Sequence, residues 1–423
     1  MNASGVAVVG VLVLAWAVLS GLLARGNVTG PLVFAVAGYL LGNPDWGVLP
    51  VNVSTSSVHV VAELALALLL YSDAARVNVH ELRREKGMPI RLLGIGLPLT
   101  VALGVALAAL LFDLPWALAL FLGAALAPTD AALSLQVIND ERIPLRLRRS
   151  LNVESGLNDG IVTPFVTVAI AMAASQLGDV DESVSYEFGA ALRQLGVGVV
   201  IGVVIGVGGA LALSVATRRG WIVPGGRLIA ALALAISAFE VTLAFDGNGF
   251  IAAFVAGAAF GAFVDRAAVD LERVNELPEL GGELLALVLW FLFGASLLPI
   301  AIDQLDWRVA LYALGSLTVV RMVPVALSMI GARIDGPTTL FLAWFGPRGL
   351  ASVVFAILAI EELGGNDDAT NLAVSVVATT VAASILLHGL TAGPGGGSYV
   401  QMEAEVEASR PLARRAALSR RDG

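Results

Sequence analysis

The chain has 423 residues, of which 57% are hydrophobic and 14% charged, and its mean hydropathy is +0.85. A soluble domain carries about a quarter charged residues; here the charges fall in short blocks between long apolar runs, as in a polytopic helical membrane protein. The runs lack the alternation of barrel strands, the absence of cysteine excludes disulfides and thiolate metal sites, and a net charge of −9 argues against nucleic acid as a partner.

Thirteen spans are predicted: 6–23, 31–41, 57–71, 88–112, 115–137, 151–174, 190–215, 227–244, 249–264, 277–297, 307–330, 338–360 and 371–390. The first run lacks a small-residue cleavage site and is followed by Arg25, so it reads as a retained span rather than a signal peptide. The second and ninth are short and glycine-containing, which suits tilted helices or helices packed inside the bundle. The last thirty residues, from Pro394, read as a glycine-rich linker followed by a short charged tail.

Charge tests this count. Connections after the odd-numbered spans carry Arg25; Arg76, Arg83, Arg84, Lys86 and Arg91; Arg142, Arg146, Arg148 and Arg149; Arg218, Arg219 and Arg227; Arg266 and Arg273; and Arg333. Those after even-numbered spans carry Arg308, with Arg193 just inside span 7. By the positive-inside rule the first set is cytoplasmic, which puts the N-terminus outside and the tail with Arg410, Arg414, Arg415, Arg420 and Arg421 inside. The other loops hold acids (Asp179, Asp181, Glu182, Glu187, Glu361, Glu362, Asp367, Asp368) and read as a solvated face. Lys86 is the single lysine, and this balance suggests a halophilic source.

Two spans carry breaks at membrane depth. Span 5 holds Ala127-Pro128-Thr129-Asp130 and span 12 holds Phe345-Gly346-Pro347-Arg348-Gly349. Proline removes a backbone donor and pushes its predecessor out of helical angles. Two such breaks seven spans apart fit a transporter built from inverted repeats, with its site between interrupted helices. Span 6 carries Glu154, Ser155, Asn158 and Asp159 in LNVESGLNDGIVTP, and on a helix Ser155 and Asp159 share one ridge while Glu154 and Asn158 share the next.

Charges inside a membrane are costly and mark ion or proton paths. With Arg321 in span 11 and Arg348 in span 12, three acids face two arginines. Each arginine stays charged and needs a partner, so roughly one carboxylate is left to take a cation or a proton in turn. Glu154 and Arg321 read as a structural pair between spans 6 and 11. Asp159 and Asp130 read as the functional acids, with Ser155 and Thr129 as accessory oxygens and Asn158 as an orienting group. Such hard oxygens suit Na⁺ or Li⁺ better than Ca²⁺, which usually recruits more acids.

The segments APTDAA (127–132), NVESGLNDG (152–160), LTVVRMVPV (317–325) and WFGPRGLAS (344–352) resemble the NhaP-type sodium/proton antiporters of the cation:proton antiporter-1 family. The resemblance implies a homodimer of thirteen-helix protomers in the cell membrane. An interface domain would comprise residues 1–75 and 218–297, a core transport domain 76–174 and 298–393, a linker helix 175–217 and a cytoplasmic tail 394–423. The core would slide against the interface domain like an elevator. It also implies that Asp159, Asp130, Thr129 and Ser155 bind the ion. Glu154 would be the structural acid, paired with Arg321 or Arg348, Arg321 being preferred. The Asn158-Asp159 pair resembles the electroneutral branch, with one cation exchanged per proton and no cofactor. Rival readings are a passive monovalent-cation channel or uniporter, a K⁺/H⁺ antiporter of the same fold, and an intramembrane aspartyl protease, whose GxGD motif the chain lacks.

Overall fold

The computed structural model describes residues 3–26, 28–44, 46–49, 56–77, 87–177, 184–332, 334–364 and 367–419. Arg83, Arg84, Lys86, Asp179, Asp181, Glu182, Arg333, Arg420 and Arg421 lie outside the described residues.

Every regular element among the described residues is helical. In chain order they are α1 (Ala3–Arg25), α2 (Gly30–Gly42), α3 (Ser56–Arg76), α4 (Met88–Leu111, with a π-helical turn at Leu92–Gly96), α5 (Trp116–Ala125) and the short α6 (Leu135–Ile138). Then come α7 (Leu145–Leu177), α8 (Val184–Arg218), α9 (Pro224–Ala244), α10 (Gly249–Phe263) and α11 (Leu271–Asp303, with a π-helical turn at Phe293–Leu297). α12 (Trp307–Leu317) and α13 (Val319–Ser328) form one span interrupted at Thr318, followed by α14 (Gly336–Trp344), α15 (Leu350–Leu363) and α16 (Asp368–Ser419). With each broken helix counted once, the described residues make the thirteen expected spans.

Chain length and packing explain the short helices. α2 and α10 are too short to cross a bilayer upright at 1.5 Å per residue, and both are held inside the bundle by glycine contacts. A Cβ at Gly38 would strike the backbone of Phe291 in α11, and one at Gly257 would strike the backbone of Tyr71 in α3. Small residues that let helix backbones approach are what packing between helices in lipid requires.

The arginine-bearing helix ends are tied together. Arg76 at the end of α3 pairs with Glu279 of α11, Arg218 at the end of α8 pairs with Asp265 after α10, and Arg91 donates to the carbonyls of Ser328 (3.1 Å) and Ile330 (2.7 Å). At the opposite end His59 of α3 lies 2.6 Å from Glu361 of α15.

Two sequence expectations are corrected here. α3 runs on past Tyr71 to Arg76, so Asp73 belongs to a helix. The stretch from Pro394 does not form a separate linker either, because α16 continues through it. Tyr399 is buried, packs its ring at a tilt against Phe341 of α14 at 4.5 Å between ring centres, and lies 3.2 Å from the Thr338 hydroxyl. That anchor on α14 outweighs the weak helical preference of proline and glycine.

Candidate functional site

Both predicted breaks are present: residues 126–131 separate α5 from its continuation, and residues 345–349 separate α14 from α15. A helix that stops leaves carbonyls free at one end and N–H groups free at the other, with partial charges to match. In this protein each break is satisfied by the other. Arg348, fully buried, donates from Nη1 to the carbonyls of Ala127 (2.8 Å) and Pro128 (3.3 Å) beyond the C-terminal end of α5. Asp130 accepts at Oδ2 from the Leu350 N–H (3.0 Å) that opens α15 and at Oδ1 from the Ala132 N–H (2.8 Å), while its own N–H donates to the Pro347 carbonyl (2.8 Å). A cation thus lies at a helix C-terminus and an anion at a helix N-terminus.

The glycines of GPRG follow from the same contacts. A Cβ at Gly349 would fall on the Asp130 carboxylate, and one at Gly346 would fall on the Arg321 guanidinium. Only glycine lets those groups approach the chain.

α7 crosses beside the first break. Thr129 Oγ1 accepts from Asn158 Nδ2 at 2.7 Å and lies 3.0 Å from Ser155 Oγ. Glu154 and Arg321 form a two-pronged pair, Nη1 to Oε1 at 2.5 Å and Nη2 to Oε2 at 2.9 Å, with each side chain 4% exposed. Of the two partners left open for Glu154, Arg321 is the one bonded. Asp159 is different: its Oδ1 is buried and has no hydrogen-bond partner, and the same holds for the neighbouring Asn158 Oδ1. Unpaired buried oxygens are costly and call for an explanation.

All eight predicted residues therefore gather where α7 meets the two breaks. The expected charge count changes, however. Arg348 bonds backbone carbonyls through its two terminal nitrogens, including Ser316 at 3.4 Å, leaves its Nε without a partner, and meets no carboxylate, so neither Asp130 nor Asp159 is taken up by it. Sequence reading also missed Asp73 of α3. Its side chain lies against Gly156, where an added Cβ would sit 3.3 Å from the Asp73 Cβ, and Asp73 is close enough to Asp130 and Asp159 for the charges to repel. The only local signal was a single acid two residues beyond an apolar run.

A cavity of about 950 Å³ opens at the arginine-bearing end, lined by Arg76, Asn152, Arg227, Arg266, Asp270 and Glu276 among others. Arg76 and Asn152 are each one helical turn from a residue of the cluster, Asp73 and Ser155. A smaller cavity of about 380 Å³, lined by Glu63, Thr167, Gln194, Asp246 and Glu362, lies toward the opposite end.

A fold of interrupted helices crossing at buried acids defines an ion-coupled membrane transporter. The sequence model of the transmembrane sodium/hydrogen exchanger family matches residues 9–395, and the chain belongs to that family. It is 26% identical to the K(+)/H(+) antiporter NhaP of Alkalimonas amylolytica over 92% of this chain and 65% of that protein. Identity to the Na(+)/H(+) antiporter NhaP of Pseudomonas aeruginosa is 30% over 78% of each. The chain spans only 55% of a K(+)/H(+) antiporter NhaP2 from Shewanella sp. (strain ANA-3), at 27% identity over 77% of its own length. Among solved structures, the sodium proton antiporter MjNhaP1 from Methanocaldococcus jannaschii at pH 8 shares the fold, with a TM-score of 0.75 and 19% identity over 93% of this chain and 98% of that one.

Proposed function

We propose that this chain exchanges a monovalent cation, sodium or lithium, for protons, and that the two ions compete for Asp159 beside Asp130. The observation that carries this reading is the buried, unpartnered Oδ1 of Asp159. A carboxylate in low dielectric with no fixed donor must be answered by a proton or by a cation. Thr129, Ser155 and Asn158 offer uncharged oxygens next to it, a donor set suited to a hard ion. Asp130, whose two oxygens already accept backbone N–H groups, supplies fixed negative charge, and Glu154, Arg321 and Arg348 hold the surroundings in place. With one competing acid, exchange is one for one and electroneutral.

We assign residues 76–174 and 298–393 to a moving core, 1–75 and 218–297 to the interface of a homodimer in the cell membrane, 175–217 to a linker helix and 394–423 to a cytoplasmic tail. The N-terminus is placed outside. The arginine-bearing ends face the cytoplasm by the positive-inside rule, so the larger cavity is the inner mouth of an elevator. Potassium is the second reading, favoured by the relatives named K(+)/H(+) antiporters.

The test is proteoliposomes with an internal proton-sensing dye, pulsed in turn with Na⁺, Li⁺, K⁺ and Ca²⁺. Asp159→Asn is expected to abolish proton release for every cation while the protein still inserts and dimerises. Undiminished exchange in that variant refutes the assignment. A parent protein that moves sodium without moving protons refutes exchange altogether.

A further inference from the structure

α16 presents Ser384, His388 and Thr391 at spacings of four and three, one face of a helix. That face meets the second break at residues other than those that bond Asp130. Arg348 N–H donates to Ser384 Oγ at 2.7 Å, His388 Nε2 lies 3.0 Å from the Trp344 carbonyl, and Trp344 Nε1 donates to Thr391 Oγ1 at 3.0 Å. The His388 ring also stacks on Trp344, 5.2 Å between centres. Trp344 is the last residue of α14, so its carbonyl has no donor within the helix; it accepts from the Gly346 N–H at 2.8 Å and has room for a second donor.

One assignment of protons links residues 344 and 348 through these side chains, although His388 Nδ1 also lies 3.1 Å from the Ser384 carbonyl of its own helix. With its proton on Nε2, the imidazole donates to the Trp344 carbonyl and leaves Nδ1 as an acceptor. Nδ1 lies 3.3 Å from Ser384 Oγ, so the serine hydroxyl donates to the ring while its oxygen accepts from Arg348. The result is an unbroken relay from Arg348 N–H through Ser384 and His388 to the Trp344 carbonyl. It joins the two ends of the break through side chains of a third helix, with Ser384 fully buried and His388 1% exposed.

We propose that Ser384 and His388 are positioning residues for the exchange reaction: they hold residues 344 and 348 at a fixed spacing and thereby set the grip of the break on Asp130. The grip consists of the Pro347 carbonyl and the Leu350 N–H, which flank Arg348 and bond the Asp130 N–H (2.8 Å) and carboxylate (3.0 Å). Releasing residue 348 shifts both partners of Asp130, which are its near neighbours in the chain. A buried histidine at this spot is more than filler because Nε2 meets the carbonyl that precedes the break while Nδ1 meets the serine hydroxyl bonded to residue 348. The proposal rests on the reading of Asp130 as part of the cation site.

The experiment compares Ser384→Ala, His388→Leu, His388→Gln and Asp130→Asn in the same proteoliposome assay, with Na⁺ and K⁺ titrated and melting temperatures recorded. Ser384→Ala removes a single oxygen, so the protein assembles. The cation concentration giving half-maximal exchange is expected to rise about tenfold in Ser384→Ala, the weight of one buried hydrogen bond, and at least as much in His388→Leu. The maximal rate is expected to change little. His388→Gln, whose amide can still donate to the Trp344 carbonyl, recovers most of the shift. The proposal is overturned if folded Ser384→Ala keeps the parent half-saturation, or if the variants lose melting temperature and maximal rate together with half-saturation unmoved. If Asp130→Asn itself exchanges normally, the reading of the site fails, a result distinct from failure of the relay alone.

Discussion

Replacing Glu154 by glutamine tests whether this acid is structural. The parent pair is two-pronged, 2.5 and 2.9 Å, and both side chains are 4% exposed. Once the carboxylate is gone, the Arg321 guanidinium keeps a 3.4 Å contact to the Leu342 carbonyl, and its Nε has no partner to begin with. The guanidinium cannot shed its proton, so an unmatched buried charge remains. Breaking such a pair costs about 3–5 kcal/mol. Glutamine retains one acceptor oxygen and belongs near the lower figure, about 3 kcal/mol, or roughly a hundredfold in the folding equilibrium. Glu154→Ala belongs near the upper one. Size-exclusion chromatography after heating steps, in one detergent, reads the loss as a lower melting temperature. The double variant Glu154→Gln with Arg321→Gln removes both charges and is expected to recover most of it. If Glu154→Gln melts with the parent but fails to exchange, Glu154 acts directly on the ion and the structural assignment is wrong.

Gly349→Ala drives a methyl group onto the Asp130 carboxylate and is expected to lower exchange about a hundredfold, measured by dye quenching. Gly346→Ala strikes Arg321 instead and is expected to lower the melting temperature as well; equal behaviour of the two would contradict the geometry. Asp73→Asn removes one of three mutually repelling charges, and is expected to weaken apparent cation affinity by about tenfold at most while the maximal rate persists. In the connection before α7, the Arg142 guanidinium bonded to Asp140 holds that carboxyl below its ordinary value. A carboxyl so depressed stabilises the connection above the ordinary aspartate range and ceases to as pH falls through its folded value. Amide exchange around Ile143, corrected for intrinsic rate, is therefore expected to rise at low pH in the parent and to be flat in Asp140→Asn.

The spans and the two breaks were legible in the sequence because their signals are local. Apolar runs end where charge begins, and Pro128, Pro347 and the GPRG glycines act on the backbone of their own segment. The cluster on α7 was legible because helical spacing alone places Ser155 beside Asp159. What escaped depends on partners distant in sequence. Hydropathy marks the edge of lipid rather than the end of a helix, so α3 was cut at Tyr71 and Asp73 was lost, although the helix continues to Arg76 and its pair with Glu279. The partners of Arg348 are carbonyls, which every residue possesses and no sequence pattern distinguishes. The helix through Pro394 is held by Tyr399 against Thr338 and Phe341, a contact that local propensity cannot anticipate.

The fate of Arg348 decides how charge is arranged at the site. Had it paired with Asp130, the buried groups would have formed two neutral pairs with Asp159 as the lone remainder. Instead Glu154 and Arg321 cancel, Arg348 is dispersed over the carbonyls of Ala127, Pro128 and Ser316, and Asp130 is held by the N–H groups of Ala132 and Leu350. The fixed donors on Asp130 are structural and cannot travel with a cargo. Asp159 has a buried oxygen with no fixed donor, which on the proposed reading leaves it open to a mobile countercharge. A protein that bound both acids equally would have two places to hold a proton and no reason for the ions to alternate. On the proposed reading, the inequality of the two aspartates, set by which backbone groups the breaks expose, favours competition at one carboxylate.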